Sequence, residues 1–123
     1  MRAGLRVLVV DDEILPAMLM RMQLSSAGLV VTEIVPSGEM AIARAREGRP
    51  DLIVMDVQLA GAMDGIEAAE AIRREASIPF IFLTGYDDRA TQERARALEP
   101  LAYLVKPIDV AQVKSIIAAS FPE

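Results

Sequence analysis

The sequence predicts a doubly wound α/β fold, a five-stranded parallel sheet covered by helices on both faces. Three observations lead there. Short β-branched runs alternate five times with longer amphipathic stretches, and the first run is almost uninterrupted in apolar residues, as a strand buried on both faces requires. The third observation is the amount of apolar material. A chain of 123 residues with 53% hydrophobic and only 4% aromatic residues fits one compact domain, residues 1–123, with an aliphatic core.

Leu5-Arg6-Val7-Leu8-Val9-Val10 forms the first strand and stops at Asp11-Asp12. Leu15, Met18, Leu19 and Met22 then recur at helical spacing as the apolar face of a first helix, which Gly28 is placed to close. Val30-Val31-Thr32-Glu33-Ile34-Val35 is a second strand, less hydrophobic and suited to a sheet edge. Ser37 caps a helix through Met40, Ala41 and Ala45 to about Glu47, and Gly48-Arg49-Pro50 ends it. Leu52-Ile53-Val54-Met55 is the third strand and stops at Asp56.

The loop that follows contains Gly61 and Ala62; beyond Gly65 a helix carries Ile66, Ala69 and Ile72 on one face. Pro79-Phe80-Ile81-Phe82-Leu83 is the fourth strand, ending at Thr84, with Pro at the first position where its missing N–H costs least. Asp87 or Asp88 caps a polar helix containing Arg89, Gln92, Glu93, Arg94 and Arg96. Ala102-Tyr103-Leu104-Val105 is the fifth strand, ending at Lys106-Pro107, and Val110, Val113, Ile116 and Ile117 mark the last helix. Mixed-charge runs at 44–49 and 89–96 read as solvated helix faces. The last helix reaches nearly to Phe121-Pro122-Glu123 without a linker, the expectation for a stand-alone protein.

Composition removes several function classes. There are 13 Lys+Arg against 18 Asp+Glu, giving a formal net charge of -5, which argues against direct binding to nucleic acid or an anionic membrane. The absence of Cys removes disulfides and thiolate chemistry, and the absence of His removes the usual general base and transition-metal ligand. No apolar run approaches a membrane span, and the N-terminus lacks the pattern of a signal peptide. The expectation is a soluble cytoplasmic domain whose chemistry comes from carboxylates, hydroxyls and Lys.

In open α/β sheets, ligands bind beyond the carboxyl ends of the strands. Those ends carry Asp11 and Asp12, then Asp56, Thr84 and Lys106, whereas the second strand ends without such a group. Alone, each has a plainer reading: Asp11-Asp12 as a helix cap, Asp56 as a solvated loop residue, Thr84 as a turn residue, Tyr103 as strand filling. Jointly they place three carboxylates, a hydroxyl and an ammonium at one end of one sheet. Carboxylates crowded together repel, and a hard divalent cation such as Mg²⁺ relieves that repulsion. Asp12 and Asp56 are candidate direct ligands, with Asp11 acting through water and the Gln58 main-chain carbonyl adding an oxygen. Asp56 would then attack phosphorus as a carboxylate nucleophile, while Mg²⁺, Lys106 and Thr84 hold the phosphoryl oxygens.

These residues resemble the receiver domain of two-component response regulators over essentially the whole chain. The likeness is carried by Val9-Val10-Asp11-Asp12-Glu13, Leu52-Ile53-Val54-Met55-Asp56, Met63-Asp64-Gly65, Leu83-Thr84-Gly85 and Tyr103-Leu104-Val105-Lys106-Pro107. The resemblance implies a CheY-like, flavodoxin-like fold with strand order 2-1-3-4-5, the order for which that family is a standing example. It implies phosphorylation of Asp56 by a histidine kinase or phosphotransfer protein, Mg²⁺ at Asp11 and Asp12, and a cis Lys106-Pro107 bond. It further implies that Thr84 and Tyr103 form a switch pair read by a downstream protein on the face of the fourth helix, fifth strand and fifth helix. The output is a switch, so the protein is not classed as an enzyme.

Two departures from the family pattern stand out. Leu59-Ala60 replaces a common Met-Pro, and the step from Asp56 to Asp64 is one residue longer than in many receivers, so this loop should be differently shaped or less rigid. Gln58 and Tyr86 occupy the positions that control attacking water, and a bulky Tyr86 beside Gly85 implies slow to moderate self-dephosphorylation. The segment Phe82-Leu83-Thr84-Gly85-Tyr86-Asp87, with the longer loop, more narrowly resembles receivers paired with HWE-type histidine kinases. Two other classes compete. A receiver fold that binds partners without phosphorylation would not need the acidic set, and an aspartyl-phosphate phosphatase would want Asp where Gln58 stands.

Overall fold

The alternation of side chains along the strands builds two cores from one sheet. In the computed structural model, which describes residues 1–86 and 88–123, the strands are β1 (Arg6–Val10), β2 (Val30–Val35), β3 (Leu52–Asp56), β4 (Phe80–Thr84) and β5 (Ala102–Val105). They form one parallel sheet in the order β2-β1-β3-β4-β5. The helices are α1 (Ile14–Ser26), α2 (Gly38–Gly48), α3 (Gly65–Arg73), α4 (Arg89–Arg96) and α5 (Val110–Ser120). Leu8, Val10, Ile53, Met55, Phe80 and Phe82 point to one face and pack with Ala41, Ala45, Ile66, Ala69, Ile72 and Ala95 of α2, α3 and α4. Val7, Val9, Leu52, Val54, Ile81 and Leu83 point to the other and pack with Ala17, Met20, Leu24, Val113 and Ile117 of α1 and α5. Residues 7–10, 52–55 and 80–83 of the central strands are therefore all apolar, and Arg6, Asp56 and Thr84 stand at the strand ends.

Local signals place most helix ends. Ser37 Oγ accepts from the Met40 N–H, and Asp64 with Glu67 forms a reciprocal capping box at the start of α3. Asp88 caps α4 through the Thr91 N–H; Asp87, the alternative cap, lies outside the described residues. Gly28, at φ +91, follows α1, and its N–H meets the Ser25 carbonyl. At the end of α2 the left-handed residue is Arg49, not Gly48, and its N–H still reaches the Ala45 carbonyl.

The first helix departs from expectation. Its buried residues are Ala17, Met20 and Leu24, whereas Leu15, Met18, Leu19 and Met22, the apolar face read from the spacing, lie in solvent together with Ile14. The helix is apolar nearly all round, so periodicity shows a face without deciding which one the sheet covers. The mixed-charge runs are also more than solvated surface. Arg44 pairs with Glu33 of β2, Arg46 with Glu75 just beyond α3, and Arg94 with Asp64 at the start of α3. These exposed pairs tie neighbouring elements together, each worth about 0–1 kcal/mol.

Candidate functional site

Because the strands are parallel, their carboxyl ends meet on one edge of the sheet, and the polar residues that stop them meet there too. One ligand oxygen from each of Asp11, Asp12 and Asp56 lies within 4.8 Å of the others. Lys106 Nζ donates to Asp56 Oδ2 at 2.9 Å. Its bond to Pro107 is cis, as the resemblance implied. Asp56 is the last residue of β3 and only 1% exposed; its Oδ1 accepts from the Gln58 N–H at 3.3 Å.

Neither member of the acidic pair caps the following helix. The N-cap of α1 is Glu13, which makes no side-chain cap bond. Asp11 Oδ1 accepts from the Glu13 N–H at 2.9 Å, which turns the chain and leaves the carboxylate facing Asp56. Asp12 Oδ2 accepts from the Ala60 N–H at 3.0 Å. That bond also tethers the lengthened loop after β3, where Gly61 takes φ +102 and Leu59 packs against the core.

Burial pushes the Asp56 carboxyl up to about 6, and the neighbouring Asp11 charge adds to that rise. The Lys106 ammonium pulls the other way through its hydrogen bond and its charge, and desolvation wins. Burial likewise raises Asp11 above the usual carboxylate range, against its bond from the Glu13 N–H and the Lys106 charge. For Lys106 burial opposes the charged form, and Asp56, Asp11 and Glu13 together outweigh it and raise its pKa. Three carboxylates facing one ammonium leave the pocket electrically under-compensated. An all-oxygen donor set of this kind fits a hard divalent cation of the Mg²⁺ type.

Thr84 and Tyr103 form a second hydrogen-bonded group at this edge of the sheet. Thr84 shares the strand face of Phe80 and Phe82, opposite to that of Asp56, and Tyr103 packs against the same core. The Thr84 hydroxyl donates toward Gln58 Oε1 at 3.0 Å and the Tyr86 carbonyl at 2.9 Å, and accepts from the Tyr86 N–H at 3.1 Å. Tyr103 Oη donates to the same Tyr86 carbonyl at 3.3 Å. The two hydroxyls are thus linked through one backbone oxygen. The Tyr86 side chain itself is exposed.

Gly65, to which the sequence reading gave no role of its own, is part of the site's frame. A Cβ there would overlap the Asp56 carbonyl and come within 2.9 Å of Met55 Cγ, so only glycine lets α3 start against the end of β3. Its N–H donates to the Val57 carbonyl at 2.9 Å. The sequence signal was the Asp-Gly pair itself: a capping Asp64 followed by a residue without a side chain.

Comparison with known proteins agrees with this architecture. A family model described as the response regulator receiver domain matches residues 7–118, and the chain belongs to that family. It is 35% identical over 108 residues to the transcriptional regulatory protein PdtaR of Mycobacterium tuberculosis, covering 88% of this chain and 52% of that protein. It is 37% identical over 117 residues to the transcriptional activator protein IrlR of Burkholderia pseudomallei, covering 92% of this chain and 50% of that protein. The chain therefore spans about half the length of these curated relatives.

Among solved structures, the signal receiver domain of a modulated diguanylate cyclase from Desulfovibrio desulfuricans G20 superposes with a TM-score of 0.86 at 36% identity, covering 93% of this chain and 90% of that one. The chemotaxis protein CheY4 of Vibrio cholerae superposes with a TM-score of 0.84 at 28% identity, covering 95% and 98%. The chain is thus a response regulator receiver domain of two-component systems, with a CheY-like fold in strand order 2-1-3-4-5. No helix among the described residues is long and apolar enough to cross a membrane.

Proposed function

We propose that this domain, spanning residues 1–123, is a phosphoacceptor switch, with Asp56 as the acceptor and a histidine kinase or phosphotransfer protein as the donor. The observation that carries the reading is the Asp11, Asp12 and Asp56 cluster closed by Lys106 at 2.9 Å. A phosphorylation-independent binding module would have no use for buried carboxylates that raise one another's pKa. A carboxylate oxygen of Asp56 attacks phosphorus, the P–N bond of the donor phosphohistidine breaks, and the departing imidazole regains a proton from solvent. Hydrolysis later breaks the acyl phosphate with water, releasing inorganic phosphate and restoring the carboxylate.

Asp11, Asp12, Asp56 and the Gln58 main-chain carbonyl would hold the Mg²⁺. Its chemistry when bound is charge compensation for the carboxylates and the phosphoryl oxygens. Lys106 pairs with a phosphoryl oxygen once its present partner is phosphorylated, and Thr84 supplies a hydroxyl to another. Thr84 and Tyr103, linked through the Tyr86 carbonyl, pass the change to the α4-β5-α5 face for a downstream protein target.

The donor side of the molecule is the exposed apolar face of α1. Beside it a groove of about 250 Å³, lined by Pro16, Leu19, Met20 and Ile108, opens onto Asp11 and Lys106. An apolar helical surface on the donor, an HWE-type kinase on the narrower resemblance, fits that face. Acetyl phosphate labelling followed by intact-mass detection tests the reading. One phosphoryl group is expected on the wild type with Mg²⁺ and none on Asp56→Asn or after chelation; label retained by Asp56→Asn would refute it.

A further inference from the structure

The phosphoacceptor reading uses the main-chain carbonyl of Gln58 and its bulk near attacking water, and leaves its side-chain amide without a task. That amide nevertheless spans from the loop after β3 to the loop after β4. Gln58 Oε1 accepts from the Gly85 N–H at 2.8 Å and from the Thr84 hydroxyl at 3.0 Å. An N–H donor can face only the oxygen of a primary amide, so the Gly85 contact fixes which way the amide is turned. The Thr84 hydroxyl has one proton, and two acceptors within its reach compete for it in the resting conformation, Gln58 Oε1 and the Tyr86 carbonyl.

We propose that the Gln58 side chain is a latch on the resting conformation, competing with the phosphoryl group for the Thr84 hydroxyl. The inference rests on the phosphoacceptor reading and adds a positioning residue to it. To meet a phosphoryl oxygen, Thr84 must give up the Gln58 acceptor that holds it in the resting conformation. A bond made in the resting packing and given up in the switched one biases the equilibrium between them toward rest. The same bond explains how the lengthened loop after β3 is coupled to the switch without a Pro to stiffen it.

Removing Gln58 Oε1 leaves the Thr84 proton with the Tyr86 carbonyl alone, so the resting state is held less firmly. Gln58→Met, and independently Gln58→Leu, should bind Mg²⁺-dependent beryllofluoride about 2- to 10-fold more tightly than wild type, the span of one net hydrogen bond. Mg²⁺ affinity is measured beside it, because the main-chain carbonyl of residue 58 is a candidate ligand, and the beryllofluoride gain is read relative to any change there. Gly85→Ala keeps the N–H, and its Cβ would lie 3.8 Å from Gln58 Oε1, so its affinity should match wild type. Titrations followed by amide NMR read all of these, and faster Gly85 amide exchange in the Gln58 variants reports the lost bond directly. A merely structural role would weaken Mg²⁺ and beryllofluoride binding together, and that result, or equal beryllofluoride affinity in wild type and both variants, overturns the latch. Wild type failing to bind beryllofluoride at all would instead remove the phosphoacceptor reading beneath it.

Discussion

Asp56 combines near-complete burial with a carboxyl pushed up to about 6, and this has a consequence for stability. An acid whose native pKa lies above its unfolded value costs stability as pH rises through that interval, because the native state holds the proton longer. In the absence of divalent cations, Asp56→Asn should therefore be more stable than wild type at pH 7, by on the order of 1–3 kcal/mol. The advantage should shrink as pH falls below about 6 and vanish only well below 3.8, where the carboxyl is neutral in both states. Urea unfolding across pH measures it, and a difference that did not vary with pH would count against the native-state shift. Gly65→Ala tests the frame around the same residue. Its Cβ would overlap the Asp56 carbonyl, so a loss of several kcal/mol is expected from displaced backbone, far beyond the ~1 kcal/mol gain that Gly→Ala brings to an ordinary helix. For Tyr86→Ala, faster loss of phosphate is expected by mass detection, with unchanged loss contradicting a shielding role.

The contrast between the two faces of α1 belongs to the scale of a whole element. Leu24 is fully buried against β1 and α5 neighbours, and Leu24→Ala should cost about 2–5 kcal/mol. Leu15 and Met22 are 76% and 64% exposed, and Leu15→Ser with Met22→Ser should change stability by no more than about 0.5 kcal/mol each. If this face receives the donor, the double variant should lose phosphoryl transfer from its kinase while labelling normally with acetyl phosphate. Equal rates from both donors would place the docking surface elsewhere. The α1 sequence signalled a helix clearly, because apolar residues recur at its period. It did not signal which face meets the sheet: a helix that is apolar all round has two candidate faces, and only the path of β1 and β3 selects between them. By contrast the main stripe of α3 was legible, since Ile66, Ala69 and Ile72 are all buried, with Ala68 buried beside them.

For the molecule as a whole, crowding three carboxylates around one ammonium means that the native fold carries a cost the unfolded chain does not. A cation bound only by the native state offsets that cost by mass action. Mg²⁺ at about tenfold its dissociation constant should stabilise wild type by about 1.4 kcal/mol in urea unfolding. Asp12→Ala should lose most of that increment while keeping its fold, because Asp12 is exposed and its partner Ala60 N–H is open to water. An equal Mg²⁺ effect in both proteins would detach the cation from this pocket.

The sequence alone determined the elements, their alternation and the kind of chemistry available, since strand burial, caps and the absence of Cys and His are written locally. It also marked Asp11, Asp12, Asp56, Thr84 and Lys106 by a shared position, each just where an apolar run stops. The tertiary structure decided what those positions do to one another: that Lys106 closes on Asp56, that the Thr84 and Tyr103 hydroxyls share the Tyr86 carbonyl, and that Gln58 reaches across to Thr84. Apart from the local Thr84–Tyr86 bond, those contacts join residues 17 to 50 positions apart, and their geometry depends on strand register, pleat and loop path, which no local pattern encodes.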